Sequence, residues 1–182
     1  MHDLWSTGLA VLLGLGALTA CTPAAPAPAP SPEPTASRFD PTAIPCDQAI
    51  DALAGPPPGY TVLLDSVGLP VGRKLDVNVV ADVSPRRFAK QGLVVRAGTP
   101  VELRIPADWE GRAWIEWGNS SHAKNVITVP SCPERGSLTW LVFAGGYFVD
   151  EPACLPILVR AAGREETARI GVGTDCALPA PS

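Results

Sequence analysis

The chain has 182 residues, with 18 acidic against 14 basic side chains and a formal charge of −4. One domain is expected at this length, and the mild acidity offers no basic footprint for nucleic acid. Eleven arginines against three lysines, with many Ala, Pro, Gly and Val, suit a high-GC genome, so an actinobacterial source is expected.

The first element is WSTGLAVLLGLGALTA, an uncharged apolar run that ends at Leu18-Thr19-Ala20-Cys21. This ending resembles a bacterial lipobox. The resemblance implies a signal peptide over 1–20 and a Cys21 thiol that takes a diacylglycerol before becoming the new N-terminus. A transmembrane helix is the competing reading, but about 16 apolar residues fall short of the ~20 needed to span a bilayer. His2 and Asp3 stand where a signal normally carries Lys or Arg, so the reading places the true start codon upstream. Removing residues 1–20 takes away Asp3 and no base, which changes the formal charge from −4 to −3.

Residues 21–41 then read as the lipidated cysteine plus a tether. In TPAAPAPAPSPEPTAS proline recurs at almost every second position, which favours extended polyproline II geometry over packing. At ~3.1 Å per residue, roughly 15 such residues make a semi-rigid spacer of about 45 Å. A recognition ligand is the other use of such a stretch; the spacer is the preferred reading.

A domain is expected over 42–178, followed by a short tail, 179–182. Asp47 to Ala54 reads as one short helix with Ile50 and Leu53 on one face, ended by Gly55-Pro56-Pro57-Pro58. Period-two alternation follows in Leu75-Val77-Val79, Val101-Leu103-Ile105 and Ile157-Val159. Further strands are expected near Tyr60–Leu64, Leu93–Arg96, Arg112–Trp117, Asn125–Val129, Thr139–Val149 and Thr167–Val172, separated by turn-forming stretches. Eight or nine short strands at this spacing predict an all-β fold, an antiparallel β-sandwich of Ig-like general architecture.

With Cys21 spent, Cys46, Cys132, Cys154 and Cys176 remain. An even count in an exported chain reads as two disulfides. Of the three possible connectivities, Cys132–Cys154 with Cys46–Cys176 is preferred, since the first closes a local loop and the second ties the domain ends. Those loops would contribute roughly 3 and 5 kcal/mol in the chain-entropy model. No metal is expected: there is no C-x-x-C pair, and beyond residue 20 the chain has a single histidine and no methionine, which rules out a blue-copper ligand set.

Three chemistries can be weighed. Ser120, Ser121 and His122 beside Asn119 read as a polar turn, because catalytic partners normally converge from separate loops and no G-x-S-x-G or S-x-x-K motif is present. Asp108, Glu110 and Glu116 flank tryptophans and Glu165-Glu166 sits in a charged run, but solvated surface charge is the plainer reading of both. The aromatics are the better lead, since Trp109, Trp114 and Trp117 fall within nine residues. Alternation puts Trp117 in the core and leaves Trp114 partly exposed beside Arg112 and Glu116. An exposed indole can stack on a sugar ring or anchor an interface, unless charged side-chain stems merely cover it. Trp114, Trp109 and Tyr147 are therefore the candidate ligand contacts.

In WLVFAGGYFVDEPAC, Gly145-Gly146 interrupts an apolar run. Two readings stand: a two-residue hairpin, the preferred one, with Val142 and Phe143 across from Val149 and Phe148, or a bulge that redirects Tyr147 and Phe148.

The series FAKQGLVVRAG, WIEWGN, WLVFAGGYFVDEPACLPILVRA and RIGVGTDC resembles small actinobacterial secreted or lipid-anchored proteins of unknown function. That resemblance, over about 44–177, implies export, two disulfides and a β domain, and assigns no activity. The resulting expectation is a protein lipid-anchored on the outer face of the cytoplasmic membrane, without cofactor. Its expected work is non-enzymatic binding or scaffolding, with cell-wall glycan or another envelope protein as partner. An exported hydrolase acting on wall glycan or peptide is the alternative, and a purely structural lipoprotein a further one.

Overall fold

The computed structural model describes residues 40–80, 86–119 and 123–176. The chain divides into two units, Met1–Arg38 and Phe39–Ser182, and the described residues all belong to the second. The expected signal peptide, Cys21, the tether as far as residue 39, Ser120, Ser121, His122 and the tail lie outside them.

Among the described residues the strands are β1 (Asp51–Leu53), β2 (Thr61–Leu63), β3 (Val67–Leu69), β4 (Lys74–Leu75), β5 (Asn78–Val80), β6 (Arg86–Lys90) and β7 (Leu93–Arg96) in the first half. The second half adds β8 (Val101–Arg104), β9 (Ala113–Trp117), β10 (Val126–Val129), β11 (Trp140–Phe143), β12 (Gly145–Val149), β13 (Ala153–Ala161) and β14 (Arg164–Val172). They form three sheets, ordered β1-β11-β7-β3-β2, β10-β8-β13-β14-β4 and β5-β6-β12-β9. Strand pairing is antiparallel except between β14 and β4.

Alternation explains why these segments become strands with one face inward. Val101 and Leu103 of β8, Leu155, Ile157 and Val159 of β13, and Ala168, Ile170 and Val172 of β14 are buried, while the residues between them are polar or less buried. All three sheets contribute to one continuous apolar cluster, which also holds Trp117, Tyr147 and Phe143.

The expected helix at Asp47 to Ala54 is absent. A 3-10 turn at Cys46–Gln48 is followed by β1, which pairs with β11. A helix of eight residues is marginal by itself, and the free edge of β11 offers a backbone ladder instead: Ile50 N–H donates to the Val142 carbonyl at 2.8 Å. Ile50, expected to share one helical face with Leu53, is 67% exposed.

The disulfide pairing also needs correction, to Cys46–Cys132 and Cys154–Cys176. Topology decides both. Ala43 bridges Thr128 in parallel, with Ile44 N–H donating to the Thr128 carbonyl at 2.8 Å, so the two segments run on together to Cys46 and Cys132. The β13–β14 hairpin turns at Ala162-Gly163 and brings the chain back so that Cys154 faces Gly171, with Cys176 just beyond. Loops of 86 and 22 residues correspond to about 4.5 and about 3 kcal/mol in the chain-entropy model.

The double glycine is neither a hairpin nor a bulge. β11 belongs to the first sheet and β12 to the third, and their partners β7 and β6 change sheet with them. Leu93 stands opposite Phe143 and Lys90 opposite Gly146, so two residues lie between these pairs on each strand and neither carries an extra one. The result is a continuous two-stranded ribbon bent at Gln91-Gly92 and Ala144, a corner of the kind by which strands switch sheets.

Polar groups at the bend are paired. Gln91 N–H donates to the Gly145 carbonyl, Gly118 N–H to the Ala144 carbonyl at 2.9 Å, and Trp117 Nε1–H to the Gln91 carbonyl at 2.8 Å. The glycines permit close packing on both sides of β12. A Cβ on Gly145 would lie 1.9 Å from the Glu116 carbonyl oxygen, and one on Gly146 would lie 2.0 Å from that of Ala89.

Candidate binding face

The third sheet turns two different faces from the same strands. Inward go Ala113, Ile115 and Trp117 of β9, Tyr147 and Val149 of β12 and Ala89 of β6, all buried. Outward, register aligns Asn78, Phe88, Phe148 and Trp114 in one row across the four strands. The three aromatic members are all partly exposed, so the row is a half-open apolar strip on a sheet surface.

Two contacts order this strip. Phe88 and Phe148 lie with ring centroids 4.6 Å apart at 34°, within the range in which aromatic pairs attract. The Arg86 guanidinium carbon sits 3.7 Å above the Trp114 ring, a cation–π stack. On β6, Arg86, Phe88 and Lys90 alternate with Arg87 and Ala89, so this face presents cation, ring and cation in turn. Gly146 also shapes the strip, since a Cβ there would come within 2.8 Å of Phe88 Cε2.

Trp109 closes the 3-10 turn Ala107–Trp109 and is partly buried, with the Arg112 guanidinium carbon 4.7 Å over its ring. Arg112 Nη2 also donates to the Asp108 carbonyl at 2.6 Å. Trp109 and Arg112 line a cavity of about 420 Å³ with Asp150, Glu151, Pro152 and Ala153. It adjoins the aromatic row through chain continuity, because Asp150 follows Val149 and its N–H donates to the Arg112 carbonyl at 3.1 Å. A larger, mainly apolar cleft of about 510 Å³ lies elsewhere, between Asp40–Ala43, Pro100–Glu102, Thr128–Pro130 and Arg160–Gly163, and its lining holds no aromatic ring.

The sequence candidates fare differently. Trp117 is core and Trp114 partly exposed, as alternation requires. Trp114 does not offer a bare indole, however, because Arg86 covers its ring. Tyr147, expected as a ligand contact, is fully buried and packs edge-on against Trp117 at 5.1 Å. It is a core residue: β12 leaves the corner with Tyr147 on the inner face and Phe148 on the outer. The Tyr147 hydroxyl finds no hydrogen-bond partner, and burial pushes its pKa far above the usual tyrosine range.

Asp108 and Glu110 are exposed at the turn before β9, and Glu116 lies on the outer face of β9. The acids that line a cavity with Trp109 are instead Asp150 and Glu151. Among the described residues no group of three or more His, Cys, Asp or Glu stands close enough to hold a metal ion.

Phe88, Phe148 and Arg86 were missed by the sequence reading. Arg86-Arg87-Phe88-Ala89-Lys90 carries three charges in five residues and hides a strand whose alternation is cation–aromatic–cation rather than apolar–polar.

No protein-family model matches this chain, and no curated protein matches it. Fold and site therefore define the class: a disulfide-bonded, mainly antiparallel β domain that carries an aromatic row on one sheet face.

Proposed function

We propose that this chain is a lipid-anchored module of the cell envelope, held through Cys21 at the outer face of the cytoplasmic membrane. There it binds an envelope glycan, without turnover, on the outer face of the third sheet. The observation that carries this reading is the partly exposed row Phe88–Phe148–Trp114, set in register across three strands. Three strands at about 4.8 Å spacing make a strip about 10 Å wide, the scale of two sugar rings, and flat rings beside charged groups suit the apolar faces and hydroxyls of saccharides.

Export and anchoring are supported by the LTAC motif and by the two disulfides, which persist in oxidising compartments. The three sheets around one core are read as a sandwich of Ig-like general architecture, which suits a display domain at the end of a Pro-rich spacer.

The test is co-sedimentation of the full-length protein with purified cell wall. The wild type is expected to pellet, and a Phe88→Ala/Phe148→Ala variant that keeps its melting temperature within a few degrees is expected to stay in solution. Equal pelleting of both would remove the row from the reading. Metabolic labelling with an alkyne fatty acid, lost in Cys21→Ala, checks the anchor.

A hydrolase acting on wall glycan or peptide is the second reading, favoured by the placement of Asp150 and Glu151 with Trp109 around one cavity. Release of soluble fragments from wall, abolished in Glu151→Gln, would establish it. Neither binding nor turnover would leave a structural lipoprotein.

A further inference from the structure

Among the arginines on or beside this face, Arg86 is the one whose hydrogen-bonding capacity is left over. Arg112 donates to the Asp108 carbonyl, and Arg87 Nη1 donates to the Asp150 carbonyl. By contrast, Arg86 Nε is shielded from solvent and has no hydrogen-bond partner. No carboxylate among the described residues lies within 4.0 Å of the Arg86 guanidinium. Its closest defined contact is the Trp114 ring at 3.7 Å.

A guanidinium stacked flat on an indole loses little further side-chain entropy on binding, and its outer edge stays available as a two-pronged donor. Such a fork matches a carboxylate or a phosphate, whereas a neutral sugar hydroxyl uses only one prong. A second cation, the exposed Lys90, lies four residues along the same strand face, about 13 Å away at strand rise, with Phe88 between them. The neighbouring acids leave room for this assignment. Glu116, across Gly146 from Lys90, has an interaction of its own, and Asp150 and Glu151 line the Trp109 cavity to one side.

We infer that Arg86, held in place by Trp114, is the anion contact of this face, and that the ligand is an acidic glycan whose carboxylate or phosphate groups meet Arg86 and Lys90 on either side of a ring resting on Phe88. The inference rests on the glycan-binding reading above and changes the part assigned to Trp114. That residue becomes a positioning residue, which aims the guanidinium instead of stacking on sugar.

The experiment measures binding of the full-length protein to four probes, in neutral detergent for the three glycans and without detergent for the vesicles. They are a glucuronate/N-acetylglucosamine oligosaccharide, a glycerol-phosphate polymer, a neutral N-acetylglucosamine hexamer and phosphatidylglycerol vesicles. At least one acidic glycan is expected to bind about tenfold or more tighter than the neutral hexamer, with affinity falling as salt is raised. The preferred acidic probe identifies the carboxylate or the phosphate as the group recognised. Arg86→Gln is expected to lower affinity for the preferred acidic probe about tenfold or more, to that of the neutral hexamer, and Arg86→Lys to restore only part of it. Trp114→Leu is expected to act like Arg86→Gln, and Trp114→Phe to recover much of the loss; near-ultraviolet circular dichroism verifies that each variant is folded.

Equal affinity for acidic and neutral glycans, unaffected by Arg86→Gln, would overturn the inference and leave the glycan-binding reading intact. Binding to no glycan would overturn both, and binding to the vesicles alone would replace the glycan by the membrane surface.

Discussion

Tyr147 and Phe148 are consecutive aromatic residues of one strand, yet they belong to regions that obey different rules. Inside the third sheet, Tyr147 packs edge-on against Trp117 at 5.1 Å with both rings fully buried. Outside, Phe148 pairs with Phe88 at 4.6 Å under partial exposure, one strand from a tryptophan capped by arginine. The inner pair excludes water and stabilises the fold. The outer row keeps apolar surface at the boundary with solvent, and its value lies in what can be laid on it. Residue type is the same on the two faces; the two-residue period of the strand divides the roles.

Substitutions can sharpen that division. Trp117→Ala should cost about 3–5 kcal/mol, the usual range for emptying a fully buried aromatic site, and chemical denaturation would read it as a large drop in midpoint. Gly146→Ala sits between the faces. Its new Cβ meets the Ala89 backbone and the Phe88 ring, so it should cost about 3 kcal/mol and, in whatever fraction stays folded, weaken wall binding as well. Phe148→Ala should cost only about 1 kcal/mol while lowering wall binding at least as much as any inner-face variant of equal stability. A Phe148→Ala protein as unstable as Trp117→Ala would break the comparison.

Tyr147→Phe has the smallest effect at pH 7, and that effect grows in the same direction as pH rises. At pH 7 it should be neutral or stabilising by up to about 1 kcal/mol, because it deletes a buried hydroxyl that has no partner. Burial raises the folded-state pKa above the ordinary tyrosine value of 10.0, so the wild type keeps its full stability below about pH 10. Above that pH the unfolded chain ionises first, and the wild type should lose about 1.4 kcal/mol per pH unit from this group. Tyr147→Phe should lack that loss, which thermal melts between pH 9 and about 11 would detect.

The legible part of the fold was the part with apolar–polar alternation or strand-forming runs. β8 is the clear case, with Val101 and Leu103 alternating with Glu102 and Arg104, while β9, β10 and β13 were legible mainly as β-branched, aliphatic and aromatic runs between turn-forming stretches. β1 and β3 could not. Asp51–Leu53 is three residues whose partner β11 lies almost ninety positions away, and Val67–Leu69 is buried throughout, which removes the alternation. The cysteine pairing was illegible for a related reason. Loop length alone does not distinguish Cys132–Cys154 from Cys154–Cys176; the parallel run of Ala43 beside Thr128 does, and that is a tertiary fact. At the site, Trp114 was visible and its environment was not, because Arg86 reaches it from a strand that β12 separates from β9.

The Cys46–Cys132 bond has a mechanical meaning. A pull entering the domain at Asp40 meets Cys46 before it meets β1, and there it passes through a covalent link to the segment just beyond β10. Only the contacts of residues 40–45 can be peeled one hydrogen bond at a time; past them the bond closes residues 46–132 into a loop that the pull cannot draw out. The disulfide thus holds β6 and β9, the strands that carry Arg86, Phe88 and Trp114, inside a covalently closed loop.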